Sequence, residues 1–152
     1  MGTGSSLPEP SQDFLHTSCH KTYVVTASHM DFIKIGYTRQ PIVNGVWSVY
    51  RRAYGEDLEI IRIYPASHYK EDDRIHAKLQ EQYGIPHKGQ EIYYKSHRKR
   101  IIRELDEWHD EPGVGPFKRV DILTMKQAER EIQAKKGQRK KNPTKPTKKP
   151  AT

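Results

Sequence analysis

Two short runs rich in β-branched and aromatic residues, Thr22-Tyr23-Val24-Val25-Thr26 and Phe32-Ile33-Lys34-Ile35-Gly36-Tyr37, lie close together in a 152-residue chain. Branched and ring side chains pack well on a pleated surface, so both runs read as strands. The polar connection Ser28-His29-Met30-Asp31 is short, which predicts a hairpin. A third run, residues 58–64, is rich enough in isoleucine to suit a central strand, and Pro65 ends it.

Helical spacing fills the intervals. After Pro41, the residues Val46, Val49, Tyr50 and Ala53 recur on one stripe, with Arg51 and Arg52 turned away, and Gly55 stops the helix. Residues 70–83 form the next predicted helix, with Ile75, Leu79 and Tyr83 inside and Gly84 and Pro86 closing it. Asp72 and His76 share that inner stripe by spacing. Residues 90–94 suit a short strand or extended rim. Ser96 stands where an N-cap belongs, ahead of a helix with Ile101, Ile102, Leu105 and Trp108 inward. After a Pro/Gly loop, residues 117–123 are expected as a strand and residues 125–136 as a last helix. The order predicts a small α/β (α+β) domain, a mostly antiparallel sheet flanked by helices.

Charge divides the chain unevenly. Residues 135–152 hold eight basic residues, among them Lys135, Lys136, Arg139, Lys140 and Lys141, and no acidic one. The remaining 19 basic residues balance all 19 acidic ones, so the body is close to neutral and the excess of +8 belongs to the tail. That tail has three prolines and no aromatic or branched aliphatic residue, so disorder is expected. Acid-free runs of this kind commonly engage polyanions; a purely solubilising tail is the bland alternative. The expected organisation is a disordered leader over residues 1–18, a folded domain over 19–110, an extension over 111–134 and the tail over 135–152. The leader matches Met-Gly-x-x-x-Ser at Gly2 and Ser6, a myristoylation pattern that a Gly/Ser-rich stretch also produces by chance.

Several classes fall away. No stretch approaches the ~20 apolar residues that a bilayer span needs, and no apolar segment near the start suggests a secretory signal. The single cysteine, Cys19, leaves no internal disulfide framework and fits a reducing, intracellular compartment. His16, Cys19 and His20 lack a second pair at zinc-ligand spacing, so a zinc site there is not expected.

In order and spacing, the motifs resemble the GIY-YIG nuclease superfamily, within it the branch of the bacteriophage T-five open-reading-frame DNA-binding domain and the related meiotically up-regulated nuclease-like family. Tyr23 stands eleven residues ahead of Lys34-Ile35-Gly36-Tyr37-Thr38, a second motif typical of that branch. Asp72 lies four residues before His76, and Gly89-Gln90-Glu91-Ile92-Tyr93 resembles its Gly-Glu-aromatic segment. The chain departs from the pattern in places. Only the tyrosine of Gly-Ile-Tyr is kept, Lys34 replaces the second-motif tyrosine, and Asp72 stands for the usual glutamate. A stretch over residues 40–48 looks like an insertion and blurs the placement of the family arginine.

The resemblance implies a double-stranded DNA partner and a magnesium-dependent endonuclease, or a binding domain that no longer cuts. Asp72 would hold magnesium. Tyr23 would orient or deprotonate the attacking water, and Lys34 would lower the tyrosine's pKa or bind phosphate. Arg51 or Arg52, with Arg39 third, would clamp phosphate oxygens, and His76 would relay a proton or orient the site. Arg39, Arg98, Lys99, Arg100, Arg103 and the tail cations would follow the nucleic-acid backbone. Each has a plainer alternative: a packed strand tyrosine, a solvent-facing lysine, an aspartate gaining from a helix dipole, a core histidine, the wet face of a helix. A non-catalytic interaction protein whose tail supplies affinity, and less readily a myristoylated peripheral membrane protein, are the other expectations.

Overall fold

A computed structural model describes residues 7–65, 69–84, 86, 91–109, 116–117, 120 and 122–141. Four strands, β1 (Lys21–Thr26), β2 (Phe32–Thr38), β3 (Glu59–Pro65) and β4 (Ile92–Tyr94), form one sheet in the order β3-β1-β2-β4. Every pairing within it is antiparallel. β1 is central and buried along its whole length, which explains why polar Lys21, Thr22 and Thr26 are inside. Lys21 is accommodated because its ammonium donates to the carbonyl oxygens of Cys19 and Gln40, the latter at 2.6 Å.

Side chains alternate across the strands, so the sheet buries two faces. One carries Tyr23, Val25, Ile60 and Ile63 against Val43, Val46 and Trp47 and against Met125 and Ala128. The other carries Val24, Ile33, Ile35, Ile61 and Tyr93 against Ile75 and Leu79 of α3 (Tyr69–Tyr83) and Ile101, Ile102 and Leu105 of α4 (Arg98–Trp108). The α+β architecture with an antiparallel sheet therefore stands as expected from the sequence.

The differences are local and have physical causes. Part of the expected disordered leader is folded: Ser11 caps the short helix α1 (Gln12–Leu15), accepting from the Phe14 N–H at 3.1 Å. Leu15 is fully buried and Phe14 packs on Phe117, so two apolar residues offset ordering that the Gly/Ser/Pro composition around them argued against. Residues 40–48, expected as an insertion, include a π-helical turn, Val43–Trp47, leading into α2 (Ser48–Tyr54). The wider turn shifts the buried stripe to Val43, Val46 and Trp47 and leaves Val49 50% exposed.

Ser96 is not a cap. It lies in a 3₁₀ turn, Lys95–His97, and α4 starts at Arg98 behind His97. The strand expected over residues 117–123 reduces, among the described residues, to a bridge between Phe117 and Ile63. α5 (Ile122–Lys141) runs past residue 135, where the tail was expected to lose structure, because Lys, Arg and Gln are good helix formers and the first proline comes at Pro143. The rest of the tail, and Gly2, lie outside the described residues.

Candidate metal centre

α3 places Asp72 and His76 one turn apart on its inward face, and both residues are only 6% exposed. Glu91 precedes β4, and its carbonyl accepts from the Ile35 N–H at 3.0 Å, which ties it to β2. The His76 Nε2 lies 3.4 Å from the Asp72 Oδ1 and 3.2 Å from the Glu91 Oε2. One ligand atom from each of the three residues falls within 4.8 Å of the others. Glu91 also reaches the opposite way, with its Oε1 3.6 Å from the Lys34 Nζ.

Register explains how one carboxylate serves both directions. Lys34 pairs with Val25 and Gly36 with Tyr23, so both share Tyr23's face. Ile33 pairs with Tyr93, on the face covered by α3. Glu91 sits where the short edge strand β4 begins and spans from one face to the other. Behind the imidazole, the Tyr93 hydroxyl lies 2.6 Å from His76 Nδ1, and the two rings are within 7° of parallel. Burial pushes the Tyr93 phenol above the ordinary tyrosine range, so it stays neutral.

Two buried polar atoms in this cluster have no hydrogen-bond partner, the Asp72 Oδ1 and the His76 Nε2. Buried polar groups are nearly always paired, since leaving one unpaired costs about 1–3 kcal/mol. A carboxylate oxygen and an imidazole nitrogen that face each other without a hydrogen bond, with a second carboxylate beside them, make a donor set that fits a divalent cation. Asp72, expected from the sequence as a lone carboxylate ligand, thus stands beside His76 and Glu91 in a group that could hold an ion. Glu91 lies in the Gly-Glu-aromatic segment that the sequence flagged, yet nothing in the spacing pointed its side chain toward α3.

Tyr23 sits close by but in a different state from the expected one. Its hydroxyl is 2.7 Å from that of Tyr50, and its ring lies over Gly36, where any Cβ would overlap the phenol. The glycine of the second motif is therefore the space that Tyr23 occupies. Burial first, then the Tyr50 hydrogen bond and the charges of Glu91 and Asp72, push the Tyr23 phenol far above its ordinary value. With no ion bound, these groups together keep the phenol neutral near neutral pH.

The cations divide into separate places. Arg51 donates to Glu129 of α5 at 2.7 Å, lies 3.9 Å from Glu56, and stacks over the Trp47 ring at 5.1 Å. Arg52 is exposed and lines the same α2–α5 groove as Lys136. Arg39 is exposed just after β2. Lys99, Arg100 and Arg103 are exposed on α4, whereas Arg98 lies 3.5 Å from Glu59. Lys135 and Lys136 are exposed on α5, and only the helical backbone is described at Arg139, Lys140 and Lys141. Sequence pattern assigns no site role to Tyr50, Tyr93 or Glu129, because each meets a partner distant in the chain.

No protein-family model, curated protein or solved structure matches the chain. Among the described residues, no helix is long and apolar enough to cross a membrane.

Proposed function

We propose that the chain is a GIY-YIG-like nucleic-acid-binding protein that hydrolyses phosphodiester bonds with a divalent ion at Asp72, His76 and Glu91. The observation that carries this is the unpaired Asp72 Oδ1 and His76 Nε2 beside a Glu91 carboxylate that also meets Lys34. Before His76 is counted, Asp72 and Glu91 outweigh Lys34 and would repel phosphate; a divalent ion reverses the sign. When bound, such an ion supplies charge stabilisation for the cleavage step. Lys34 then binds a phosphate oxygen with a flexible point charge, and Glu91 holds that ammonium in reach. Tyr23 acts as a neutral phenol that helps to position the substrate backbone through the Tyr23–Tyr50 hydroxyl pair, rather than as a base. Double-stranded DNA is the proposed partner, with Lys99, Arg100, Arg103 and the tail cations following its backbone.

A second reading, binding without cleavage, is favoured by one observation: the Arg51 guanidinium is already held by Glu129 and so is not free to clamp phosphate. Nicking of supercoiled plasmid, with divalent ion present or chelated, separates the two. Asp72→Ala should reduce the nicking rate by ~100-fold or more, in line with loss of a major charge-stabilising group. Tyr23→Phe should retain most of the rate. Equal nicking by wild type and Asp72→Ala would remove the catalytic reading and leave the binding one.

The tail has its own test. Removing residues 135–152 deletes eight cations, so the log–log salt slope of DNA affinity should flatten by up to ~0.9 for each phosphate that is no longer neutralised. An unchanged slope would place binding on the folded body alone.

A further inference from the structure

We infer that Asp72, His76 and Glu91 form a site for a first-row transition-metal ion rather than for magnesium, with Tyr93 holding the imidazole in place from behind. This rests on the proposed divalent centre and names the class of ion it takes.

The donor chemistry separates the two classes. Magnesium prefers oxygen ligands and keeps several waters, so it is normally held by one or two carboxylates without an imidazole. Imidazole nitrogen suits zinc, iron, nickel and copper, and carboxylates accept manganese as well. Here the nitrogen stands in the middle of the donor set, 3.4 Å from one carboxylate oxygen and 3.2 Å from another. Those distances would allow a hydrogen bond from Nε2, yet Nε2 has no partner, so neither oxygen is aligned to accept from it. The oxygens flank the nitrogen instead of capping it.

The support around the imidazole is that of a ligand. Metal-bound histidines almost always engage their other ring nitrogen with a second group, which fixes ring orientation and tautomer. His76 Nδ1 does so with the Tyr93 hydroxyl at 2.6 Å. Tyr93 is fully buried on β4, so its ring cannot swing away. Two ligands come from successive turns of a 15-residue helix, and the third is anchored through its own carbonyl to β2. The donor set is therefore built on regular elements, as a site that holds a defined geometry requires.

The bland alternative is an imidazolium paired with two carboxylates and no ion. Cobalt(II), which reports ligand geometry through visible absorption, separates the two when titrated into the full-length chain after chelator treatment. One cobalt per chain should bind with a defined visible spectrum, and a large excess of magnesium should leave it in place. His76→Gln and Glu91→Gln should each abolish that spectrum, and Tyr93→Phe should weaken binding ~10–100-fold, as loss of a group behind a ligand does. Glu91 is half-exposed, so Glu91→Gln keeps the test open should His76→Gln fail to fold.

Displacement of cobalt by magnesium on equal terms, cobalt binding that survives His76→Gln, or the absence of any bound cobalt would overturn the inference. Plasmid nicking supported by magnesium in His76→Gln would also overturn it, while leaving phosphodiester hydrolysis with an ion on Asp72 and Glu91 standing. Tight cobalt binding without nicking under any ion would sustain the inference and remove the nuclease.

Discussion

Two polar clusters on the α3/α4 side of the sheet differ in one respect. In the first, Arg62 of β3 donates through Nε and a terminal guanidinium nitrogen to the two oxygens of Asp106 on α4, at 3.1 and 3.3 Å, and the Tyr64 hydroxyl donates to Asp106 at 2.7 Å. Every charged member has a partner of matching geometry, which is how a structural network looks. In the second, Asp72, His76 and Glu91 stand as close together, yet the Asp72 Oδ1 and the His76 Nε2 make no hydrogen bond. Only ion-pair contacts at 3.4 and 3.2 Å join the histidine to its two carboxylates there. The contrast is between a network closed by aligned hydrogen bonds and a cluster that is not, and the proposed ion would close the second.

The two clusters should therefore answer substitution differently, in the absence of added metal. The largest effect should come from Asp106→Ala, which strands the Arg62 guanidinium and the buried Tyr64 hydroxyl together; it should cost about 2–4 kcal/mol in denaturant unfolding. A cost below ~0.5 kcal/mol would mean that the Arg62–Asp106 pair is too solvated to act as a structural network.

Tyr23→Phe comes next, at about 1 kcal/mol, the usual contribution of one hydrogen bond. It also changes the pH dependence. The folded state holds the Tyr23 proton more tightly than the unfolded chain, so stability is intact at neutral pH and falls as pH rises above the ordinary phenol pKa of about 10. Tyr64 shares this behaviour. Replacing Tyr23 should make the alkaline decline shallower, measured as the midpoint of unfolding between neutral and strongly alkaline buffer.

The smallest effect should come from Asp72→Asn. Losing a favourable charge near the start of α3 is offset by relief of an unpaired buried carboxylate, so the change should stay within ~0.5 kcal/mol. A loss of about 2 kcal/mol or more, on the scale expected for Asp106→Ala, would make Asp72 a structural residue and erase the difference between the clusters.

Much of the fold was legible because it follows from local chemistry. The β-branched runs around Tyr23, Ile35 and Ile61 became strands, and the stripe Ile75–Leu79 became the inner face of α3. Legibility failed where three-dimensional context overrode pattern. Val49 fits a helical stripe, but the π turn before it rotates the stripe away. Phe14 and Leu15 were masked by the composition around them, and their burial depends on α5, far along the chain. At the site, Asp72 and His76 were visible because helical spacing alone sets them side by side. Glu91 and Tyr93 were invisible in that role, because the β2–β4 register brings them there. The charge state of Tyr23 was beyond reach for the same reason, since Tyr50 and the burial that raise its pKa come from packing.

Anomalous diffraction from crystals of the full chain grown with manganese(II) tests the account most directly. A single strong peak among the Asp72, His76 and Glu91 side chains, with Tyr93 still bonded to His76 Nδ1, is the expected result. A map with no peak there, and with His76 Nε2 turned to donate squarely to one of the carboxylates, would contradict it.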